Sequence, residues 1–337
     1  MDSIARVLLG EKLALNEAQE LMGQIMQGEL SPVRVGALLA ALAVRGESPE
    51  EIAGFARAMR AAALQIHPVR RPLVDTCGTG GDRTGSFNIS TAAAFVTAGA
   101  GVAVAKHGNR KASGKSGSAD VLEALGVRVD LPPQAAQESI DKIGIGFLFA
   151  RTHHPAMANV AGVRAELGVP TVFNLLGPLT NPAGATHQLV GVYHPRFVVP
   201  VAESLAQLGL EAALVVHGAG LDELALGESQ VAEMRAGQVK SYVIDAQELG
   251  LEAAPVSELA GGTPEENAHL LRGILAGEAK GPKSEIVALN AGAAIWLAGA
   301  AGTLAEGLAA ARESLVTGKA ARVLQELVEF TQIYSQG

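Results

Sequence analysis

The 337-residue chain has one cysteine, Cys77, so no disulfide can form within it, and it reads as a protein of the reducing cytoplasm. Aromatic residues are scarce, with one Trp and three Tyr. The apolar content rests instead on Ala, Val and Leu, a composition suited to closely packed helices and buried parallel strands. No apolar run reaches the ~18 residues of a membrane span, and the opening MDSIARVLLGEKL lacks the basic-then-apolar pattern of a secretory leader, so no membrane partner is expected. Positive charge is also short: 26 Lys and Arg stand against 34 Asp and Glu, a net charge of −8. General nucleic-acid binders work through a basic footprint, so nucleic acid is not an expected partner either. A polyanion would have to be held by a local basic cluster or a bound metal.

The length suits one large or two medium domains. Residues 1–67 read as a helical unit. Asn16 stands before EAQELMGQIMQ as a candidate N-cap, Ser31-Pro32 opens VRVGALLAALAVR, and Ser48-Pro49-Glu50-Glu51 forms a capping box before IAGFARAMRAAAL. From RPLVDTCG onward, strands and helices alternate. GVAVAKHG (101–108), GIGFLFA (144–150), AALVVHG (212–218) and QVKSYVID (238–245) read as strands. SADVLEALG (118–126), with Ser118 as its cap, and HPAMANVAGVRAELG (154–168), ending on Gly168, read as helices, as do three C-terminal stretches near 264–277, 284–299 and 303–333. This pattern predicts an α/β fold: a small helical domain plus a large α/β domain with a mainly parallel central sheet flanked by helices. The Pro/Gly clusters at 67–72 and 168–184 are the candidate hinges.

Three segments carry chemistry. DTCGTGGDRTGSFNIS (75–90) spends much backbone entropy on glycine. It is not a dinucleotide fingerprint, because Arg83 occupies the third glycine position. What it offers is a glycine turn before a helix start, where amides of Gly80 and Gly81 and the N-terminus beyond Ser86 can cradle anionic oxygens. KHGNRKASGKSGSAD (106–120) nearly imitates a P-loop but has one residue too many between Gly108 and Gly114. It still gathers Lys106, Arg110, Lys111 and Lys115 after a strand, natural partners for a phosphate-rich substrate in an acidic protein. In VVHGAGLDELALGE (215–228), Asp222 and Glu223 follow an apolar strand. Hard carboxylate oxygens that share a site with phosphate suit Mg²⁺. The histidines show no metal spacing, and Cys77 has no histidine partner in the sequence, so it reads as a small buried residue.

In order along the chain, GTGGD, NIST, KHGNR with SGSADVLEALG, FLFARTHHPAM, VRAELGVPTVFNLLGPLTNPAG and HGAGLDE resemble the anthranilate phosphoribosyltransferase family, which shares its fold with the pyrimidine nucleoside phosphorylases. The first loop separates the two. The phosphorylases carry a His-Ser-Thr-Gly-Gly type loop where this chain has Cys77-Gly78-Thr79-Gly80-Gly81-Asp82. The resemblance implies transfer of phosphoribose from 5-phosphoribosyl 1-pyrophosphate (PRPP) to the amine of anthranilate in tryptophan biosynthesis, with release of pyrophosphate and with two Mg²⁺ per site. It implies that about 152–170 joins residues 1–67 in the helical domain, that 68–151 and 171–337 form the PRPP-binding domain, and that the protein is a homodimer joined through its helical domain.

By the same resemblance, Gly78, Gly81, Asp82, Ser86, Asn88, Ile89, Ser90 and Thr91 line the PRPP site. Lys106, His107, Gly108, Asn109, Arg110, Lys111, Ala112, Ser113, Gly114 and Ser118 continue it. Ser90, Asp222 and Glu223 hold the metal. Gly78, Asn109 and Arg164 touch anthranilate, with His154 and Pro178 beside its access path. Lys106, Asn109 and Arg164 are the expected catalytic residues. Two positions depart from the family pattern: Lys111 adds a charge and Gly114 replaces a serine that bonds pyrophosphate. The alternatives are a pyrimidine nucleoside phosphorylase and a non-catalytic nucleic-acid-binding member of the fold.

Overall fold

The computed structural model describes residues 2–110 and 116–334. Four helices come first: α1 (Ser3–Leu8), α2 (Leu15–Gln27), α3 (Pro32–Arg45) and α4 (Pro49–Ala61). The predicted starts of α3 and α4 hold: Pro32 opens α3, and the Glu51 amide donates to Ser48 Oγ while Glu51 Oε2 accepts the Ser48 amide. Asn16 is not a cap, because α2 already begins at Leu15, and Glu17 takes the amide of Ala14 instead.

Alternation follows as β1 (Leu73–Gly78), α5 (Ile89–Gly99), β2 (Ala103–Gly108), α6 (Ser118–Ala124), α7 (Pro133–Ile143), β3 (Ile145–Phe149), α8 (Ala150–His153), α9 (Ala158–Leu167), α10 (Phe173–Leu179), β4 (His187–Gly191), α11 (Val198–Gln207) and β5 (Ala212–Gly218). A hairpin of β6 (Glu228–Arg235) and β7 (Gln238–Asp245) precedes α12 (Pro264–Leu275), α13 (Pro282–Leu297), α14 (Leu304–Val316) and α15 (Lys319–Ile333). Several expectations are revised. The stretch 154–168 is a 3₁₀ turn at Pro155–Met157 followed by α9, and the 168–184 hinge contains α10. The last helical stretch is two helices, parted at Gly318, whose φ of +72° ends α14.

The sheet order is β3-β2-β1-β4-β5-β6-β7. The first five strands run parallel and only the final hairpin is antiparallel. From β1 the chain steps outward through β2 to β3, then returns to place β4 on the other side of β1. The order therefore reverses between β1 and β4, and in open α/β sheets ligands bind outside the carboxyl ends of the strands at such a point. Gly78 and Gly191, a registered pair, stand at those ends.

On one face, α5, α13 and α15 pack on the strands through Phe95, Val216, Leu289 and Leu327. On the other, one apolar cluster runs from Met22, Leu39 and Phe55 in the N-terminal helices to Leu176 on α10, Val201 on α11 and Val190 and Val215 in the sheet. The helical part is thus seated directly on the α/β part. Asn159 of α9 donates to Met26 O at 2.8 Å, and His153 Nδ1 lies 2.8 Å from Leu64 O, which brings the 152–170 segment onto the N-terminal helices.

Candidate active site

The glycine turn after β1 is built from left-handed residues: φ is +66° at Gly80, +86° at Gly81 and +71° at Gly85. Gly78 has a different reason. A methyl group there would overlap the Asp222 carboxylate, and one at Gly191 would overlap the Asp222 main chain. The two strand ends are bare so that the acid turn after β5 can lie across them. The Gly80 amide donates to Asp222 Oδ2 at 2.7 Å, and the Ser90 amide at the start of α5 donates to Glu223 Oε1 at 3.0 Å. Adjacent carboxylates thus reach two different loops. Burial pushes both above the ordinary carboxylate range, Asp222 to about 6 and Glu223 to about 8; the nearby charge of Asp82 adds to the first and that of Asp222 to the second.

Lys106 completes this group. It is buried at the end of β2, and its Nζ donates to Thr76 O at 2.6 Å and to Ser90 Oγ at 3.3 Å. Burial pulls its ammonium down, opposed chiefly by the nearby carboxylate of Asp75 and also by Glu223 and Asp222. The structure therefore unites Gly78, Ser90, Lys106, Asp222 and Glu223. Asp82 folds back on its own loop, accepting Thr84 Oγ1 at 2.6 Å, and Ser86 pairs with Ala260 on a strap that also takes the Phe87 amide through Leu259 O. Asn88 accepts from Asn267 Nδ2 at 3.0 Å and reaches Ser116 O at 3.4 Å, and Ile89 and Thr91 are buried in α5.

The next residues divide. His107 turns to the opposite face of β2 from Lys106. Its amide donates to Asp75 Oδ1 at 3.1 Å, its Nδ1 lies 3.0 Å from Gly177 O in α10, and its ring is 5.1 Å from that of His154. The Nε2 atoms of both histidines are buried without a hydrogen-bond partner, and burial pushes both rings down, His154 to about 4. Gly108 passes so close to Ser118 Oγ and Phe147 that no side chain fits. Ser118 is not the cap of α6; that position is Gly117, and Ser118 Oγ donates to Asn109 O at 3.1 Å. Asn109 is exposed, with its Oδ1 taking the Arg110 amide at 2.8 Å. Arg110 turns from the site to Glu123, at 2.5 Å, and Asp120, at 3.1 Å. Lys111, Ala112, Ser113 and Gly114 lie outside the described residues, as does Lys115.

Arg164 stands apart from the Lys106 group. Half-buried on α9, its guanidinium lies 5.2 Å from the centroid of Phe173, the first residue of α10. Desolvation lowers its affinity for the proton, yet at pH 7 it stays charged. Pro178 is buried in α10, and its carbonyl takes Gln188 Nε2 at 2.7 Å. One helix thus carries the Arg164 platform, the His107 partner and Pro178.

The donor set fits Mg²⁺. Asp222 and Glu223 offer hard oxygens, the Ser90 amide holds Glu223 while Ser90 Oγ takes Lys106 Nζ, and among the described residues no group of three His, Cys, Asp or Glu side chains forms an all-protein cage. Two carboxylates with further oxygens from a substrate are the usual way this ion is held. Sequence reasoning missed the support behind the site. Asp75, fully buried, accepts Asn181 Nδ2 at 2.8 Å, and the same amide nitrogen donates to Ala105 O, tying β1 and β2 to the end of α10. Asn267 and Asn290 were missed too; for Asn290, a lone amide within an apolar helical run is the signal that would have found it.

Residues 70–321 match a family profile described as the α/β domain of a glycosyl transferase family, and residues 1–63 match the helical bundle domain of the same description. The chain is 55% identical over 330 residues to anthranilate phosphoribosyltransferase of Thermus thermophilus, an alignment covering 98% of this chain and 99% of that one. A crystal structure of the Thermus thermophilus enzyme superposes with a TM-score of 0.95 over 98% of this chain and 100% of the other. The Saccharomyces cerevisiae enzyme in complex with PRPP and Mg is 27% identical, with a TM-score of 0.85 over 94% of this chain and 92% of that one. Its complex with 4-fluoroanthranilate gives 26% and 0.86 over 98% and 99%.

Proposed function

Because this chain belongs to the anthranilate phosphoribosyltransferase family, we propose that its reaction takes place where the glycine turn, the end of β2 and the acid turn meet. The enzyme transfers the phosphoribosyl group of PRPP to the amine of anthranilate and releases pyrophosphate, a step of tryptophan biosynthesis. The phosphorylase and non-catalytic readings are not favoured by these relatives. The observation that carries the site assignment is the hydrogen-bonded chain Gly80–Asp222 and Glu223–Ser90–Lys106, which gathers loops from three strand ends at the point where the sheet order reverses.

Breaking the C1–pyrophosphate bond leaves positive charge on the ribose and negative charge on the leaving group, so the protein's work is to stabilise that anion and to hold the amine in line. Lys106, fixed by Thr76 O and Ser90 Oγ, presents an ammonium that need not reorganise. The Gly81 amide, the side chains of Asn88 and Ser90, and Lys106 with the segments 108–109 and 111–118 hold PRPP, while the Gly80 amide is taken by Asp222, Thr91 is buried in α5 and Arg110 is held by Glu123. Asp222, Glu223 and Ser90 hold Mg²⁺, two ions per site, and the bound ion neutralises the developing pyrophosphate charge. Arg164 takes the anthranilate carboxylate in a two-point contact, with Gly78 and Asn109 beside the ring and His154 and Pro178 along its path. The arylamine attacks through its neutral lone pair and needs no strong base before the bond to C1 forms.

Helices α1–α4 with about 152–170 act as one lobe that covers the anthranilate side, and 67–72 is where movement between the lobes is taken up. The enzyme is a homodimer joined by that lobe. In support, α3 turns Val33, Ala37, Ala40 and Val44 to one side, with Val33 81% and Val44 90% exposed, and Leu8 at the end of α1 and Leu9 just after it are exposed too. It works in the cytoplasm, as its single buried cysteine suits. Anthranilate fluoresces, so its signal falls on adding PRPP with Mg²⁺ and holds without the metal; a crystal soaked with PRPP places the diphosphate among residues 78–91, 106–118 and 222–223. Density elsewhere overturns the site.

A further inference from the structure

Helix α13 carries one amide in its apolar run IVALNAGAAIWL. Asn290 is fully buried there, and its side chain faces Leu224, the residue that follows Asp222 and Glu223. Its Oδ1 accepts the Leu224 amide at 3.0 Å, and its Nδ2 donates to Leu224 O at 3.1 Å as well as to Ile286 O at 2.9 Å. The side chain therefore does for Leu224 what a neighbouring strand would do, satisfying both main-chain groups of one residue. The bond to Ile286, one turn back in α13, sets the direction of the amide. Leu224 is itself fully buried, so no water stands ready to replace Asn290.

The rest of the turn is fixed in a way that makes this contact matter. Before the acids, the Gly218 amide donates to Leu221 O at 3.2 Å and the Leu221 amide to Gly218 O at 2.8 Å. After them, the Ala225 amide donates to Ser229 Oγ at 2.9 Å. Asp222 and Glu223 thus lie on a short span clamped at both ends, and Asn290 holds the nearer clamp on the C-terminal side. From there the two carboxylates reach the Gly80 and Ser90 amides. We infer that Asn290 is a positioning residue for the metal-holding acid pair, fixing the main chain after Glu223 so that both carboxylates are set before Mg²⁺ arrives.

The inference rests on the proposed role of Asp222 and Glu223, and the test separates the two. Mn²⁺ is titrated into the protein with PRPP present, and free Mn²⁺ is read by electron paramagnetic resonance for wild type, Asn290→Ala, Asp222→Asn and Leu289→Ala. Leu289 is an equally buried neighbour on α13 that shares the apolar cluster of Leu224 but, having an apolar side chain, gives it no hydrogen bond. Asn290→Ala weakens Mn²⁺ binding by about tenfold, the low end of the loss seen when a ligand's own hydrogen-bond partner is removed, because Asn290 acts on the main chain one residue past Glu223. Leu289→Ala lowers the melting temperature without that loss. If Asp222→Asn binds as wild type does, the metal reading itself fails. If Asp222→Asn binds weakly while Asn290→Ala binds normally, or if Asn290→Ala and Leu289→Ala weaken equally, the positioning role is wrong. Hydrogen exchange on the wild-type protein without metal needs no variant: a peptide over residues 221–226 is protected, and rapid exchange there also overturns the inference.

Discussion

The Gly80 amide donates to Asp222 Oδ2 at 2.7 Å, joining two loops 142 residues apart in the chain. Directly beneath this bond, Gly78 and Gly191 leave bare backbone against which Asp222 rests. The glycine turn and the acid turn therefore form one surface, with the position of Asp222 set by packing from below and by an amide from the side. That arrangement explains why glycine ends both strands although neither Gly78 nor Gly191 has a positive φ.

Gly78→Ala tests this contact. The added methyl overlaps the Asp222 carboxylate and displaces it, while the sheet below retains its pairing. A catalytic group shifted by ~1 Å can cost about a hundredfold in rate. We expect kcat to fall by that order with a melting temperature close to wild type, and the Mg²⁺ concentration for half-maximal rate to rise. An unaltered rate would mean that the Asp222 position is not set from Gly78.

Arg164→Ala separates binding from scaffold. Charge-assisted hydrogen bonds contribute roughly 1.5–3 kcal/mol, so KM for anthranilate should rise roughly 10- to 100-fold. KM for PRPP should hold, because Arg164 lies over Phe173 and outside the Lys106 group. Initial rates with each substrate varied in turn decide it; equal rises in both constants would make Arg164 structural.

Much of this was legible in the sequence because the signals were local. The Ser48–Glu51 capping box, Pro32 at a helix start, and the glycine turn after β1 each sit within a few residues of what they determine. Strand β4, HQLVG, was not legible. Its polar Gln188 is there to reach the Pro178 carbonyl, a partner that no window on the sequence contains. Strand β6 reads ESQVAEMR, with a burial pattern too irregular to announce a strand, and it takes its form from pairing with β5 and β7. Arg110 misled for the opposite reason: its charge suited phosphate, but Asp120 and Glu123 one helix away claim it.

Glu51 is a second buried carboxylate with a purely structural task. Fully buried, it takes the Leu13 amide at 2.9 Å, the Ser48 amide at 2.9 Å and Arg45 Nη2 at 2.5 Å, so it ties α2, α3 and α4 at one point. Glu51→Ala leaves two amides without their acceptor and strips Arg45 of its counter-charge, although Arg45 keeps the carbonyls of Glu11 and Gly46. Removing one partner of a buried pair costs about 3–5 kcal/mol. Chemical denaturation should show a loss of that order, whereas an effect below about 1 kcal/mol would mean that water replaces the carboxylate.

Stability should also depend on pH through His154. Burial holds this ring at about 4, whereas in the unfolded chain it titrates near 6.5. Between these values the unfolded state binds the extra proton and the folded state does not, so stability falls as pH falls. The contribution is fully present above about 6.5 and is lost by about 4, a total of about 3 kcal/mol. His107 and His153 face the same ring and are likewise pushed down by burial, so they act in the same sense. The acid pair acts in the opposite sense: with folded values raised, Asp222 and Glu223 favour the folded state as pH drops. The net curve is thus a sum of opposing slopes, and His154 is isolated by difference. His154→Gln, measured against wild type by urea denaturation from pH 7.5 to 4.5, should remove a slope that steepens below 6.5; two parallel curves would show that His154 does not resist protonation in the folded protein.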